Sequence, residues 1–243
     1  NVSVNLGKAD GILSENEQVK GEEFEPTERI KVYILEVKDT PKGPRILLSR
    51  THPGLVKRLF ESEVAEVKDG TVEIKSIARE AGSRTKIAVW SNDPDVDPVG
   101  ACVGMNGARV NSIVEELRGE KIDIINWDEN PAILIENALS PAKVIAVMAD
   151  PDEKTALVVV PDYQLSLAIG KEGQNARLAA RLTGFKIDIK SETQARESGE
   201  LYDYDDEDEY YDEEEYSEEG AVESEETETE ETEEVSEETT VEE

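Results

Sequence analysis

Gly104-Met105-Asn106-Gly107 and Gly170-Lys171-Glu172-Gly173 are the two stretches on which the reading of this chain turns. Each follows a short apolar segment, Val99–Val103 in the first case and Leu165–Ile169 in the second. Each leads into a helical stretch that stops at a glycine, Gly119 or Gly184. Each stretch then runs into the same tetrapeptide, Lys-Ile-Asp-Ile, at 121–124 and 186–189. The offset is 66 residues at the loops and 65 at the strands, so a one-residue gap lies between them. A recurrence of this kind marks a duplicated structural unit.

Working outward, each loop is preceded by two strand candidates, Thr71–Ile77 with Lys86–Trp90 and Val144–Met148 with Ala156–Val160. A Gly82-containing turn joins the first pair. A helix candidate precedes each pair, over 53–66 and roughly over 130–140. Pro53 suits a first helical position, and Leu55, Val56, Leu59 and Phe60 recur at helical spacing. The unit is therefore αββααβ, used twice. Asp93, Asp95 and Asp97 alternate through the run Asn92–Pro98, which includes Pro94, and read as a turn and a helix cap rather than a metal cluster.

Two glycines three residues apart permit a tight turn free of Cβ clashes and let another backbone approach. The turn feeds a helix N-terminus, whose unpaired N–H groups and positive dipole end attract an anion. In the first copy Val110, Ile113, Val114 and Leu117 form one apolar stripe that packs on the sheet. What remains is a loop suited to a phosphodiester backbone, beside an apolar groove in which single-stranded bases lie. Neither copy carries the Gly-Lys-Ser/Thr of a P-loop, and neither has the spacing of a dinucleotide fingerprint.

The net charge of −32, taken whole, argues against nucleic acid as a partner, but it is unevenly placed. Glu197–Glu243 holds 26 acidic residues and no Lys or Arg, which leaves the rest of the chain at −6. Around the second loop, Asp162–Lys190 carries 5 bases against 3 acids. The segment from about 192 onward has the composition of a disordered acidic tail, read either as a solubilising segment or as a tethered competitor for a basic RNA surface. One cysteine, Cys102, and one histidine, His52, argue against a disulfide framework, a zinc site or a catalytic triad. Cys102 reads as a small buried hydrophobe and His52 as structural. Trp90, Trp127 and Phe185 sit at strand ends and read as core residues ahead of base-stacking ones. No apolar run of membrane-spanning length and no signal peptide are evident, so a cytoplasmic location is expected.

Residues 1–50 read as three short strands with Gly/Pro turns, at Val2/Val4/Leu6, Ile30/Val32/Ile34 and Ile46–Leu48, part of a small barrel. The chain opens inside a strand pattern and without Met, which reads as an N-terminal truncation.

The two αββααβ units resemble type II KH domains, and the strands before them resemble an OB-fold RNA-binding domain of the ribosomal-protein S-one type. The order barrel–KH–KH is similar to that of the NusA family of bacterial transcription factors. So are Ser49-Arg50-Thr51-His52-Pro53-Gly54-Leu55, Arg79-Glu80-Ala81-Gly82-Ser83-Arg84 and Asp97-Pro98-Val99-Gly100-Ala101-Cys102-Val103-Gly104. The expected architecture is α+β: a partial OB-type barrel over 1–50, a first KH domain over 51–127, a second over 128–191 and an acidic tail over 192–243.

The resemblance implies a non-enzymatic factor in pausing, termination and antitermination. Its implied partners are nascent single-stranded RNA and, for the full-length protein, RNA polymerase and other transcription factors. A monomer without cofactor, metal or membrane association is expected. The alternatives are an RNA-processing or ribosome-associated KH protein and an acidic scaffold for basic partners. The expected RNA-binding residues are Gly104, Met105, Asn106, Gly107 and Arg109 in the first unit. In the second they are Gly170, Lys171, Glu172, Gly173, Gln174, Asn175 and Arg177. Asn106 stands where the family carries a base, so the second loop is expected to supply more of the salt-dependent affinity.

Overall fold

The computed structural model describes residues 1–41 and 43–200. The tail beyond them lies outside the described residues. The first sheet contains β1 (Val2–Asn5), β2 (Asp10–Leu13), β3 (Tyr33–Thr40) and β4 (Gly43–Ser49), in the order β1-β2-β4-β3. It has one strand more than the alternation pattern predicts. The extra strand, β2, is four residues long and contains Gly11, which breaks the apolar alternation. That glycine admits the buried Leu48 side chain, because a Cβ there would lie 2.5 Å from Leu48 Cδ1. The next strand begins at Tyr33 rather than Ile30. Before it, the Lys31 backbone is taken by other partners: its N–H donates to Glu116 and its carbonyl accepts from Arg50 Nη1 at 2.8 Å.

The first αββααβ unit comprises α1 (Pro53–Glu63), the short α2 (Ala65–Lys68), β5 (Val72–Glu80), β6 (Arg84–Ser91), α3 (Pro98–Val103), α4 (Ala108–Glu116) and β7 (Lys121–Asn126). The second comprises α5 (Pro131–Ala138), β8 (Ala146–Asp150), β9 (Thr155–Val160), α6 (Leu165–Ile169), α7 (Gln174–Thr183) and β10 (Lys186–Ser191). In each unit the first two strands pair antiparallel and the Lys-Ile-Asp-Ile strand joins the middle one in parallel. Among the described residues, no helix is long and apolar enough to cross a membrane.

Period-2 alternation assigns the two faces of the first unit's sheet. Ile87 and Val89 join the core beneath α1, α3 and α4, with Cys102 fully buried among them. Ala78, Ala88 and Ile125 face the other way and share a core with Leu178 and Ala179 of α7 and Leu134 of α5. The two alanines are small enough for α7 to seat directly on the sheet. Lys86, fully buried, reaches across the same boundary, with Nζ donating to the Ser140 carbonyl at 2.8 Å and pairing with Asp123 at 3.2 Å.

Helix starts follow local sequence rules. His52 Nδ1 accepts from Gly54 N at 2.9 Å, Asp97 from Val99 N and Asn130 from Ala132 N, each just before a proline. This confirms the structural role expected of His52 and the capping role expected of the Asp-Pro run. One further helix, α8 (Glu192–Glu197), corrects the composition-based start of the tail. Ser191 and Gln194 form a capping box, and Ala195 is fully buried.

Candidate nucleic-acid interface

The two loops have one backbone shape built from different residues. Gly104, Asn106 and Gly107 have φ/ψ of 74/172, 53/27 and 75/12. Gly170, Glu172 and Gly173 have 77/172, 54/26 and 73/14. Glycine is needed where it stands. A Cβ on Gly104 would lie 2.7 Å from Arg109 Cγ, and one on Gly170 would lie 2.8 Å from the Asn175 backbone N. Asn106 and Glu172 hold left-handed φ as non-glycine residues, which the surrounding loop must enforce.

The helices that leave the two loops start alike, without a side-chain cap, as do the short α2 and α6. α1, α3, α5 and α8 each have a side-chain cap, whereas α4 and α7 begin at Gly107 and Gly173 with none. Each loop closes its own helix start: the Ala108 N–H donates to the Met105 carbonyl and the Gln174 N–H to the Lys171 carbonyl. What each loop offers an anion is the positive end of the helix dipole behind a glycine-edged turn. Met105 is 85% exposed at the tip of the first loop, and Lys171 is exposed at the tip of the second. Among the described residues Lys171 has no ion-pair partner.

The other candidates are placed differently. Arg109 is paired with Glu66 at 3.0 Å and donates to the Ala101 carbonyl at 2.6 Å. Asn175 is buried, neither capping the helix nor facing solvent. Its Nδ2 donates to the Leu139 and Ala168 carbonyls at 3.0 Å each and ties α5 and α6 to α7. Gln174 and Arg177 point to the first unit. Gln174 Nε2 donates to Glu80 at 2.9 Å and to Ser83 at 2.7 Å, and Arg177 Nε donates to Glu80 at 2.6 Å. The Arg177 guanidinium, with Gln174 and Arg181, holds the Glu80 carboxyl down at about 2, so it is fully ionised at pH 7. These side chains act as a joint between the units. The sequence placed them at a loop because it could not show that a second domain would lie against that loop.

Docking also brings in residues that the sequence did not single out. Ser83, Arg84 and Lys121 of the first unit line a cleft of about 540 Å³ with Gly170 and Lys171 of the second. A second cleft, about 700 Å³, runs from Val99 and Ile124 in the first unit to Asn137 and Lys143 in the second. Lys121 opens the repeated Lys-Ile-Asp-Ile, a position the repeat marked as structural only. Trp90 also departs from expectation: it is 41% exposed, while Phe185 is buried as expected.

Residues 50–127 match the model of the NusA-like first KH domain, and residues 131–197 match that of the NusA-like second KH domain. This chain belongs to the NusA family. It is 64% identical over 198 residues to the transcription termination/antitermination protein NusA of Bacillus subtilis, covering 82% of this chain and 53% of that protein. The protein of that name from Halalkalibacterium halodurans is 61% identical over 202 residues, covering 83% and 53%. The one from Mycobacterium bovis is 55% identical over 185 residues, covering 76% and 53%. The chain thus spans about half the length of the curated relatives it matches. The second family match ends at Glu197, where α8 ends, rather than at 191.

Proposed function

We propose that this part of a NusA-family protein binds single-stranded RNA along a track that joins both KH domains. In the full-length protein it would serve transcription pausing, termination and antitermination at RNA polymerase in the cytoplasm. The role is that of a binding factor, not an enzyme, and a monomer suffices for it. The observation that carries the reading is the duplicated loop geometry, each loop feeding a helix N-terminus with an exposed residue at its tip. Phosphates sit at the two loops, and the bases between them follow the clefts floored by Ile124 and edged by Lys143, Lys121 and Lys171. The joint at Glu80 and Lys86 holds the loops in a fixed relation, so that binding at one raises the effective concentration of RNA at the other.

The site residues are accordingly Gly104, Met105, Asn106, Gly107, Gly170, Lys171, Glu172 and Gly173. Arg109, Gln174, Asn175 and Arg177 support them. Titration with short single-stranded RNAs across salt concentrations tests the charge assignment. Lys171→Gln is expected to reduce the slope of log affinity against log salt by about 0.7, the value for one phosphate contact on a single strand. Asn106→Ala is expected to leave the slope unchanged. An unchanged slope in Lys171→Gln would remove that lysine from the interface.

A further inference from the structure

The row that ends the first KH sheet contains an aromatic pair to which the RNA track gives no role. Glu73 and Trp90 are direct cross-strand partners on β5 and β6, and the Trp127 N–H donates to the Val89 carbonyl, which sets Trp127 beside Trp90. The two indoles meet edge to face, with centroids 5.6 Å apart. Alternation along β6 puts Trp90 on the face of Ala88, opposite the face that carries α3, α4 and the first loop. This face is covered by the second KH domain as far as Ala88 and is open at Trp90.

Two observations say what the open ring takes. First, the chain already seats a cation on one of the two rings. A register shift between Ile74 and Ser76 leaves Lys75 unpaired in the ladder, and its Nζ lies 5.5 Å from the Trp127 centroid. Trp90 has no such cation among the described residues. Second, the chain next to the pair is acidic. Glu73 shares the row, and its carboxyl is held below the usual range by Lys75 and Asn92. The loop leaving β6 carries exposed Asp93 and Asp95, and that leaving β7 carries Asp128 and exposed Glu129. An exposed tryptophan with a carboxylate as its cross-strand partner, where the segments that follow β6 and β7 are acidic, favours a cation over a polyanion.

We propose that the Trp90–Trp127 face is a docking site for an arginine-bearing cationic segment of a protein partner, separate from the RNA track. A guanidinium would stack on Trp90 as Lys75 does on Trp127, with Glu73 and the two acidic loops receiving its N–H groups. Arginine is favoured over lysine because its planar fork both stacks and pairs with carboxylates.

The chain's only two tryptophans lie at this site, so the indole N–H signals in a ¹H–¹⁵N spectrum report on it alone. The full chain is titrated with a capped tri-arginine peptide, its tri-lysine and tri-glutamate counterparts and a short oligoadenylate. Saturable movement of both indole signals is expected with arginine, weaker movement with lysine and none with glutamate or RNA. In Trp90→Ala the Trp127 signal is expected to need about three- to five-fold more arginine peptide, with Trp90→Phe in between. The proposal is overturned if arginine leaves the indoles unmoved or if Trp90→Ala keeps the wild-type midpoint. It is overturned equally if the oligoadenylate moves the indoles, which would make the site a base-stacking platform.

Discussion

Acidic replacement of both loops is expected to weaken single-stranded RNA binding by about 100- to 1,000-fold at low salt. The variant carries Met105→Asp, Asn106→Asp, Lys171→Asp and Glu172→Asp. It makes the two loops more negative by four units, two of them at Lys171 alone. A unit charge at 4–6 Å from a phosphate contributes about 0.7–1 kcal/mol in water, so four contribute about 3–4 kcal/mol. The fold should tolerate the change, since Asp occupies left-handed backbone at modest cost and the side chains at the loop tips are exposed. Circular dichroism should therefore match the parent while filter binding or anisotropy loses the RNA. A folded variant that keeps parental affinity would mean that the RNA lies elsewhere.

The largest effect on stability is expected at Glu120, which no functional reading selects. Its carboxylate accepts from Arg79 Nε and Nη2 at 2.9 Å each, from the Gly82 N–H at 2.9 Å and from Thr85 Oγ1. Both partners of the ion pair are 1% exposed at the side chain. Glu120→Ala would strand the Arg79 guanidinium, whose remaining acceptor is the His52 carbonyl at 2.9 Å. Breaking a buried pair from one side costs about 3–5 kcal/mol, a large share of the 5–15 kcal/mol typical of a native protein. Urea denaturation should show a clearly lowered midpoint, with Glu120→Gln less affected because it keeps shape and part of the hydrogen bonding. A midpoint equal to the parent's would show that the pair does not hold the fold.

What was legible in the sequence was what local pattern controls. The duplicated GxxG frames, the αββααβ order and the proline-led helix starts depend on neighbours within a few residues, and all are found in place. The start of α8 was equally local, since Ser191 and Gln194 spell a capping box, but the acid-rich composition downstream obscured it. β2 was lost because Gly11, needed for Leu48, interrupts the alternation. The remaining differences depend on how the two domains dock. Arg177 looks like a phosphate ligand until Glu80 arrives from 97 residues away. Asn175 looks like a surface amide until α5 closes over it. Trp90 looks like a core residue because nothing local shows that the second domain stops short of it.

The central claim is that two loops on one rigid body hold a single RNA strand together. It is tested most directly by comparing RNAs of about four and about twelve nucleotides, the shorter matching one KH loop, on the parent and on variants acidified at one loop only. The parent is expected to bind the longer RNA much more tightly, and acidifying either loop is expected to remove most of that advantage. A length advantage that survives in both single-loop variants would contradict the claim.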